Sequence, residues 1–342
     1  MAAFLARMRN AVGVLVLLAA VVMAIPAGAQ QSKNPDGSVN PTASSVREEQ
    51  LFKQMRQIDG RCTLPDQKAC TLEQPAGRDW RQFHQVTLPW VGGIAIIGIF
   101  CALLLFYLVR GTVRIESGRS GRTLLRFNAF ERFVHWMTAV CFIVLAISGL
   151  NITFGRDLLL PLIGPEAFTG WSQWAKYAHN YLSFPFTLGV VLTFLMWLTS
   201  NFPTRTDIEW IKKGGGMVGH EHPAAGRFNP GQKFIYWMVV VGGTAVAVTG
   251  YLLMFPFWGG TGIAGMQTAQ VIHALVGVLF IAGMLVHIYM GTLGEEGAFE
   301  SMVDGTVDEN WAKQHHSLWL EEEKAKGHVE TTRPPGRMQP AE

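Results

Sequence analysis

Residues 267–291 read QTAQVIHALVGVLFIAGMLVHIYMG and contain no Asp, Glu, Lys or Arg. An α-helix needs about 20 such residues to cross a bilayer core that is about 30 Å thick. His273 and His287 lie fourteen residues apart in this stretch, which gives a rise of ~21 Å and a rotation only ~40° short of four full turns. Both imidazoles are therefore predicted to project from one face of a single membrane helix, at two depths.

Further apolar segments of membrane length precede this one. They are Trp90–Val109, Phe133–Gly155, Tyr177–Thr204 and a segment near 234–254, which the interruption at 255–262 separates from the last. Only 15% of the residues are charged, against about 25% in globular domains. The sequence therefore predicts an all-α membrane protein with a four-helix transmembrane bundle over 125–295 and one extra N-terminal transmembrane helix over 89–110.

The two ends of the chain are polar or export-related. Residues 1–29 combine basic Arg7 and Arg9, an apolar run and a final Ala27-Gly28-Ala29, which predicts a secretory signal peptide; an uncleaved anchor helix is the alternative. Residues 30–88 are polar and are predicted to be exported, where Cys62 and Cys70 could form a disulfide because that compartment is oxidising. Residues 296–342 are predicted to be a cytoplasmic tail that ends in mobile, charge-rich sequence.

Basic residues predict the orientation of the bundle. The loops 110–132 and 201–233 are rich in Arg and Lys, whereas 156–176 has only Arg156 and Lys176 and 255–266 has none. Basic loops face the cytoplasm, so the sequence predicts a multi-pass protein of the bacterial inner membrane with residues 30–88 in the periplasm. The net charge of +3 is small and gives no indication of nucleic-acid binding.

Four histidines fall inside the apolar segments: His135, His179, His273 and His287. An ionisable residue inside a membrane segment is a candidate functional residue by default. The predicted orientation pairs His179 with His273 near the outer face, and His135 with His287 near the inner face. The sequence thus predicts two stacked sites with two histidine ligands each.

Several occupants of such sites can be compared. A single buried histidine can simply hydrogen-bond to a neighbouring helix, but four histidines paired by depth make that explanation weak. An ion path would normally add acidic or lysine side chains inside the membrane, and zinc or copper would favour more ligands at one depth. Two histidines per site favour a b-type haem, because the porphyrin supplies the other iron ligands. Gly149, Gly277 and Gly283 share the histidine face, where they could give a flat ring room or serve close helix packing.

With this pattern established, the chain resembles the gamma subunit of respiratory formate dehydrogenase, a cytochrome b membrane subunit. The resemblance covers about residues 125–315. It rests on Phe130-Glu131-Arg132-Phe133-Val134-His135-Trp136, His179, Asn229-Pro230-Gly231-Gln232-Lys233, Ile272-His273-Ala274 and Leu285-Val286-His287-Ile288-Tyr289-Met290.

The resemblance implies a four-helix haem-binding bundle with two b-type haems. His179 and His273 would bind the iron of the outer haem, and His135 and His287 that of the inner haem. The implied partners are an iron–sulfur beta subunit and a molybdenum- or tungsten-pterin alpha subunit. The alpha subunit, and not this chain, would oxidise formate. Electrons would pass through the haems to a quinone on the cytoplasmic side.

The resemblance also implies a quinone pocket near the inner haem that includes Asn229 and Gly231. A purely structural role is the alternative, because Asn229-Pro230 is also a good helix N-cap followed by a first-turn proline. The same four ligands could instead serve a cytochrome b subunit of a hydrogenase or a thiosulfate reductase. A haem-free membrane transporter or assembly protein with structural histidines is a further alternative.

Overall fold

The computed structural model describes residues 61–62, 72–73, 77–216, 221–256 and 262–327. The predicted signal peptide and a Cys62–Cys70 disulfide lie outside the described residues, since neither residues 1–29 nor Cys70 is among them. The chain divides into two compact units, one of Met1–Pro75 with Met254–Trp258 and the other of the remaining residues. In the first unit, strand β1 (Arg61–Cys62) pairs antiparallel with strand β2 (Leu72–Glu73).

Five helical stretches in the described part of the chain are long and apolar enough to cross a membrane. This confirms the predicted helical membrane bundle with one extra span. The helices are α1 (Gly77–Gln82), α2 (Leu88–Arg110), α3 (Ala129–Leu158), α4 (Leu160–Trp197), α5 (Arg205–Lys212), α6 (Pro230–Trp237), α7 (Gly243–Met254), α8 (Ile263–Tyr289), α9 (Glu300–Val303), α10 (Glu309–His315) and α11 (Ser317–Ala325). Single π-helical turns join α1 to α2 (Phe83–Thr87) and α6 to α7 (Met238–Gly242), and a third (Met290–Gly294) extends α8.

Helix α4 begins earlier than the sequence predicts. Residues 156–176 were expected to form a loop, but α4 starts at Leu160 and bends only at Gly164, whose φ of 79° is accessible mainly to glycine. Beyond this bend, α4 packs along α3, and Asn151 accepts a hydrogen bond of 2.9 Å from the Trp171 indole. The span was predicted to end at Thr204, but the helix ends at Trp197. Both ends of α4 therefore lie earlier in the sequence than predicted.

The extra span packs against the bundle. A Cβ added at Gly92 of α2 would lie 3.2 Å from the Phe154 ring and 3.3 Å from the Val278 side chain. Farther along α2, the rings of Phe106 and Tyr289 meet edge to face with their centres 6.2 Å apart. The opposite face of α2 leaves large apolar side chains exposed, as expected of a surface that contacts lipid.

The centre of the bundle is an apolar cluster contributed by α3, α4 and α8. Cys141, Phe186, Val190, Phe280 and Met284 are all buried in it. The Phe142 ring lies 4.7 Å from the Phe280 ring, centre to centre. Since Phe280 is midway between His273 and His287 along α8, this cluster separates the two histidine levels.

Residues 295–327 form a folded cap on the bundle. Strand β4 (Thr306–Asp308) pairs antiparallel with strand β3 (Thr123–Leu125), with Leu124 opposite Val307. Trp311, Trp319 and Leu320 join the buried core beneath this pair. The first part of the predicted cytoplasmic tail over 296–342 is thus folded, because apolar side chains spaced along it pack with Ile115 and Leu124 of the loop before α3. Its place in the cytoplasm stays a prediction. The predicted mobile end falls on residues 328–342, which lie outside the described part of the chain.

The cap is joined to the loops by a buried arginine. The Arg126 guanidinium donates hydrogen bonds of 2.8 Å to the Arg227 carbonyl and 3.1 Å to Nε2 of His316. Burial lowers the pKa of Arg126 to about 9, and burial followed by the Arg126 charge holds the pKa of His316 well below its usual value. The His316 side chain is therefore buried within the protein rather than solvated.

Candidate functional site

The four membrane histidines lie in two pairs. The ring centres of His135 and His287 are 6.1 Å apart, and their planes make an angle of 65°. The ring centres of His179 and His273 are also 6.1 Å apart, at an angle of 63°. The structure thus brings together the residues that helix geometry and loop charge paired; their binding of haem stays a prediction.

Three helices build both pairs. Helix α8 contributes one member of each pair, α3 contributes His135 near its start, and α4 contributes His179. A capping box stabilises the beginning of α3. The Asn128 backbone amide donates a hydrogen bond of 2.9 Å to the Glu131 side chain, and the Glu131 backbone amide donates one of 3.0 Å to the Asn128 side chain. These bonds satisfy amide groups at the helix start and set the height of His135 above the first turn.

The spacing within each pair fits two imidazoles bound to one metal ion from opposite sides. A histidine nitrogen binds a metal at about 2 Å, and an imidazole centre lies about 1 Å farther on, so opposed rings would have centres roughly 6 Å apart. Edge-to-face packing of aromatic rings covers about 4.5–7 Å and gives the same spacing. The hydrogen bonds of the rings are therefore needed to distinguish a ligand pair from a packed pair.

His135 has an unsatisfied polar atom. Its Nδ1 is buried and has no hydrogen-bond partner among the described residues. Such a nitrogen costs about 1–3 kcal/mol, and a histidine with a purely structural role is expected to be satisfied. The unpaired nitrogen distinguishes His135 from a hydrogen-bonded structural histidine, and the donor set of two imidazoles suits haem iron.

The other pair is oriented by hydroxyl groups. Ser148 Oγ lies 2.8 Å from Nδ1 of His179, and Thr249 Oγ1 lies 3.1 Å from Nδ1 of His273. A histidine engaged at Nδ1 keeps Nε2 available for a metal, as is usual for histidine ligands. Both rings are therefore placed as ligands would be.

A glycine follows each of these hydroxyl residues. A Cβ added at Gly149 would lie 3.5 Å from Cε1 of His179, and one added at Gly250 would lie 3.1 Å from Cε1 of His273. Sequence reasoning found Gly149 but missed Ser148, Thr249 and Gly250. The signal that could have found them is a Ser-Gly or Thr-Gly dipeptide in a neighbouring span at the same depth as a histidine.

Gly250→Ala tests this close approach. The added methyl group would be crowded against the His273 ring, and such overpacking costs about 1–3 kcal/mol. If the His179–His273 pair binds a haem, as the sequence predicts, the variant should lose that haem under dilute conditions, as measured by haem extraction. Gly98→Ala on α2 is the control, since an added Cβ there meets nothing within 4 Å. Equal haem content in both variants would contradict the proposed crowding.

The two other predicted glycines have different surroundings. A Cβ added at Gly277 would meet nothing within 4 Å, whereas one added at Gly283 would contact Sδ and Cε of Met238. Gly277 thus leaves room on the histidine face. Gly283 allows α8 to pack against the π-helical turn of the fourth span, so its role is close helix packing.

The candidate quinone residues lie at the start of α6. Asn229 accepts a hydrogen bond of 3.0 Å from the Gln232 amide and donates one of 3.2 Å to the Gln232 side chain, which is a capping box. Gly231 is exposed, and a Cβ added there would lie 3.8 Å from the Trp210 ring. The capping role of Asn229 is thus observed, and its quinone role stays a prediction.

Cationic side chains near the predicted inner level are already bound within the protein. Lys233 forms an ion pair of 2.8 Å with Asp207, and both side chains are nearly buried. Arg132 donates a hydrogen bond of 2.6 Å to the Val303 carbonyl. The Lys233 ammonium, paired with Asp207 inside the protein, is thus a poor candidate for binding an outside anionic group.

Comparisons with known proteins identify the family of this chain. The sequence model of the family described as prokaryotic cytochrome b561 matches residues 126–305, which is more than half of the 342 residues. The matched region contains α3 to α8 and all four paired histidines.

Individual relatives are cytochrome subunits. The formate dehydrogenase cytochrome b556(fdo) subunit of Escherichia coli (strain K12) is 31% identical over 203 residues, which cover 58% of this chain and 93% of that protein. The nitrate-inducible cytochrome b556(Fdn) subunit of the same organism is 28% identical over 217 residues, covering 61% and 96%. The cytochrome b556 subunit from Haemophilus influenzae is 28% identical over 217 residues, covering 61% and 87%. The chain therefore belongs to the prokaryotic cytochrome b561 family and is a relative of the cytochrome b subunits of formate dehydrogenase.

Proposed function

We propose that this chain is the di-haem cytochrome b subunit of a formate dehydrogenase and serves electron transfer from a periplasmic iron–sulfur subunit to quinone on the cytoplasmic side. The observation that carries the proposal is the pair of matched histidine sites, each with ring centres 6.1 Å apart. The names of the relatives support formate dehydrogenase as the complex. Formate itself would be oxidised by a separate molybdenum- or tungsten-pterin subunit.

The residues of each pair would hold one b-type haem. His179 and His273 would bind the first through their Nε2 atoms, since their Nδ1 atoms are engaged with hydroxyl groups. His135 and His287 would bind the second. When bound, each haem supplies an iron that carries one electron at a time.

The apolar cluster between the pairs would exclude water. Phe186 and Phe280 are each 3% exposed, and the other members of the cluster are apolar as well. Side chains of this kind offer no proton-carrying group between the two levels. The chain would therefore move electrons across the membrane while keeping ions and protons out.

The loop charges support the proposed direction of transfer. The loops before α3 and before α6 are rich in arginine and lysine, which favours their placement in the cytoplasm of a bacterial inner membrane. His135 lies at that end of α3, so the His135–His287 pair would be the cytoplasmic one. The His179–His273 pair would face the periplasmic partner, and reduction of quinone would take protons from the cytoplasm.

The quinone role of Asn229 can be separated from its capping role. Asn229→Ser keeps an N-cap oxygen but removes the amide, whereas Asn229→Ala removes both and costs about 1 kcal/mol of stability. If the amide contacts quinone, both variants should keep two haems and lose most quinone turnover, measured with the intact complex and a soluble quinone. Normal turnover in Asn229→Ser would leave Asn229 with the cap alone.

A reduced-minus-oxidised absorption spectrum of the purified full chain, with extracted haem counted per chain, tests the proposed function. Two non-covalent b-type haems per chain would support it. One haem would mean that one pair is structural, which would overturn the di-haem proposal. A chain produced with ample haem that binds none would favour a transporter or assembly protein.

A further inference from the structure

Ser148 and Thr249 occupy equivalent positions beside the His179–His273 pair. Ser148 is 3% exposed and Thr249 is 7% exposed, and they belong to α3 and α7. Each approaches the histidine of a different neighbouring helix, α4 for Ser148 and α8 for Thr249. Two separate helices thus present a buried hydroxyl to the same ring atom of the two paired histidines.

The hydroxyl protons are already committed. Ser148 Oγ donates a hydrogen bond of 2.7 Å to the Val144 carbonyl, and Thr249 Oγ1 donates one of 2.6 Å to the Ala245 carbonyl. With its proton directed to its own helix, each oxygen is left to accept a hydrogen bond from Nδ1 of the histidine, beside the Leu145 carbonyl at His179 and the Val246 carbonyl at His273. Both imidazoles are thereby held as the tautomer that carries its proton on Nδ1 and leaves Nε2 free.

The His135–His287 pair has a different environment. No hydroxyl or carbonyl oxygen in the described part of the chain accepts from Nδ1 of His135, although that atom is buried. The two levels thus share ring spacing, but the hydrogen bonding of His135 differs from that of His179 and His273.

We infer that Ser148 and Thr249 are positioning residues that lower the midpoint potential of the haem at His179–His273 relative to the other haem. The inference rests on the proposed function, because it requires that these histidines bind iron. An acceptor at Nδ1 makes an imidazole a stronger electron donor to its metal, and stronger donation stabilises the oxidised iron. The resulting order of potentials favours electron movement from the His179–His273 level to the His135–His287 level.

Thr249→Val provides the test, because valine has the shape of threonine without the hydroxyl. We expect one of the two midpoint potentials to rise by about 59 mV, which corresponds to a tenfold change in the reduction equilibrium of a one-electron couple. Potentiometric titration of the purified full chain, followed by the haem absorption bands, gives both potentials. Thr249→Ser should keep the wild-type potential, because serine keeps the hydroxyl oxygen that valine lacks.

Thr138→Val is the matched control. Thr138 is also a buried threonine whose hydroxyl donates to its own helix, at 2.7 Å from the Val134 carbonyl, and the contacts of that hydroxyl include no histidine ring nitrogen. Its replacement should leave both potentials unchanged. Ser148→Ala should act in the same direction as Thr249→Val and on the same haem.

The outcomes separate this inference from the proposed function. Two bound haems with potentials that Thr249→Val shifts no more than Thr138→Val does would overturn the inference and leave the di-haem function intact. A wild-type chain that binds no haem would overturn both. Loss of one haem in Thr249→Val with recovery in Thr249→Ser would support positioning of His273 by the hydroxyl.

Discussion

His273→Ala is expected to leave one haem per chain and to abolish quinone reduction by the intact complex. The substitution removes one of the two imidazoles whose ring centres lie 6.1 Å apart, so the outer site would lose one of the two side chains proposed to hold its haem. The carrier at the His179–His273 level would be missing, and electrons from the partner subunit would have no route to the second level. Haem extraction and formate-dependent quinone reduction measure the two effects.

His84→Ala is a suitable control for His273→Ala. The His84 ring stacks on Trp80, with centres 5.4 Å apart, near the beginning of the first span. It should change neither the haem count nor the rate of quinone reduction. If His273→Ala also retained two haems and full activity, the assignment of His179 and His273 as a ligand pair would be wrong.

Trp311→Ala is expected to destabilise the folded cap formed by residues 295–327. The Trp311 side chain is 1% exposed, its indole donates a hydrogen bond of 2.9 Å to Glu295, and the Arg126 guanidinium lies 5.0 Å from its ring centre. Replacement of a buried tryptophan by alanine costs about 3–5 kcal/mol. Hydrogen exchange of the purified protein in detergent should show faster exchange throughout β4, α10 and α11.

Haem content distinguishes a local effect of Trp311→Ala from general unfolding. Both haems should be retained, because the histidine pairs are built from α3, α4 and α8 and the cap contributes no ligand. Trp174→Ala serves as the control, since Trp174 is 59% exposed and should leave exchange in the cap unchanged. Unchanged exchange in Trp311→Ala would mean that the cap does not depend on this core.

Most of the bundle could be predicted from local patterns. The uncharged segments give five spans, because the thickness of the bilayer sets a minimum length for an apolar helix. The pairing of His273 and His287 with partners at two depths followed from the helical repeat and from loop charge. These predictions required no knowledge of which helices touch.

Other features depended on contacts between distant residues. The hydroxyl partners Ser148 and Thr249 are single polar residues within apolar spans, and only the approach of α4 and α8 shows that they face histidines. The cap was missed because Trp311 and Trp319 are separated by polar residues and pack on Leu124, nearly two hundred residues earlier. From local composition alone such a segment looks like a solvated tail. Its tryptophans are buried only because they pack against the distant loop before α3.

By itself, the sequence determined the five candidate spans of the described residues, the face of α8 that carries two histidines, and the sorting of the four histidines into two pairs. These properties follow from the length of apolar runs and the helical repeat, both of which are local. Only the tertiary structure decided which hydroxyl groups orient the His179–His273 pair, that Nδ1 of His135 has no partner among the described residues, and that residues 295–327 pack against the loops. These properties depend on distances between separate helices, and side-chain packing sets those distances.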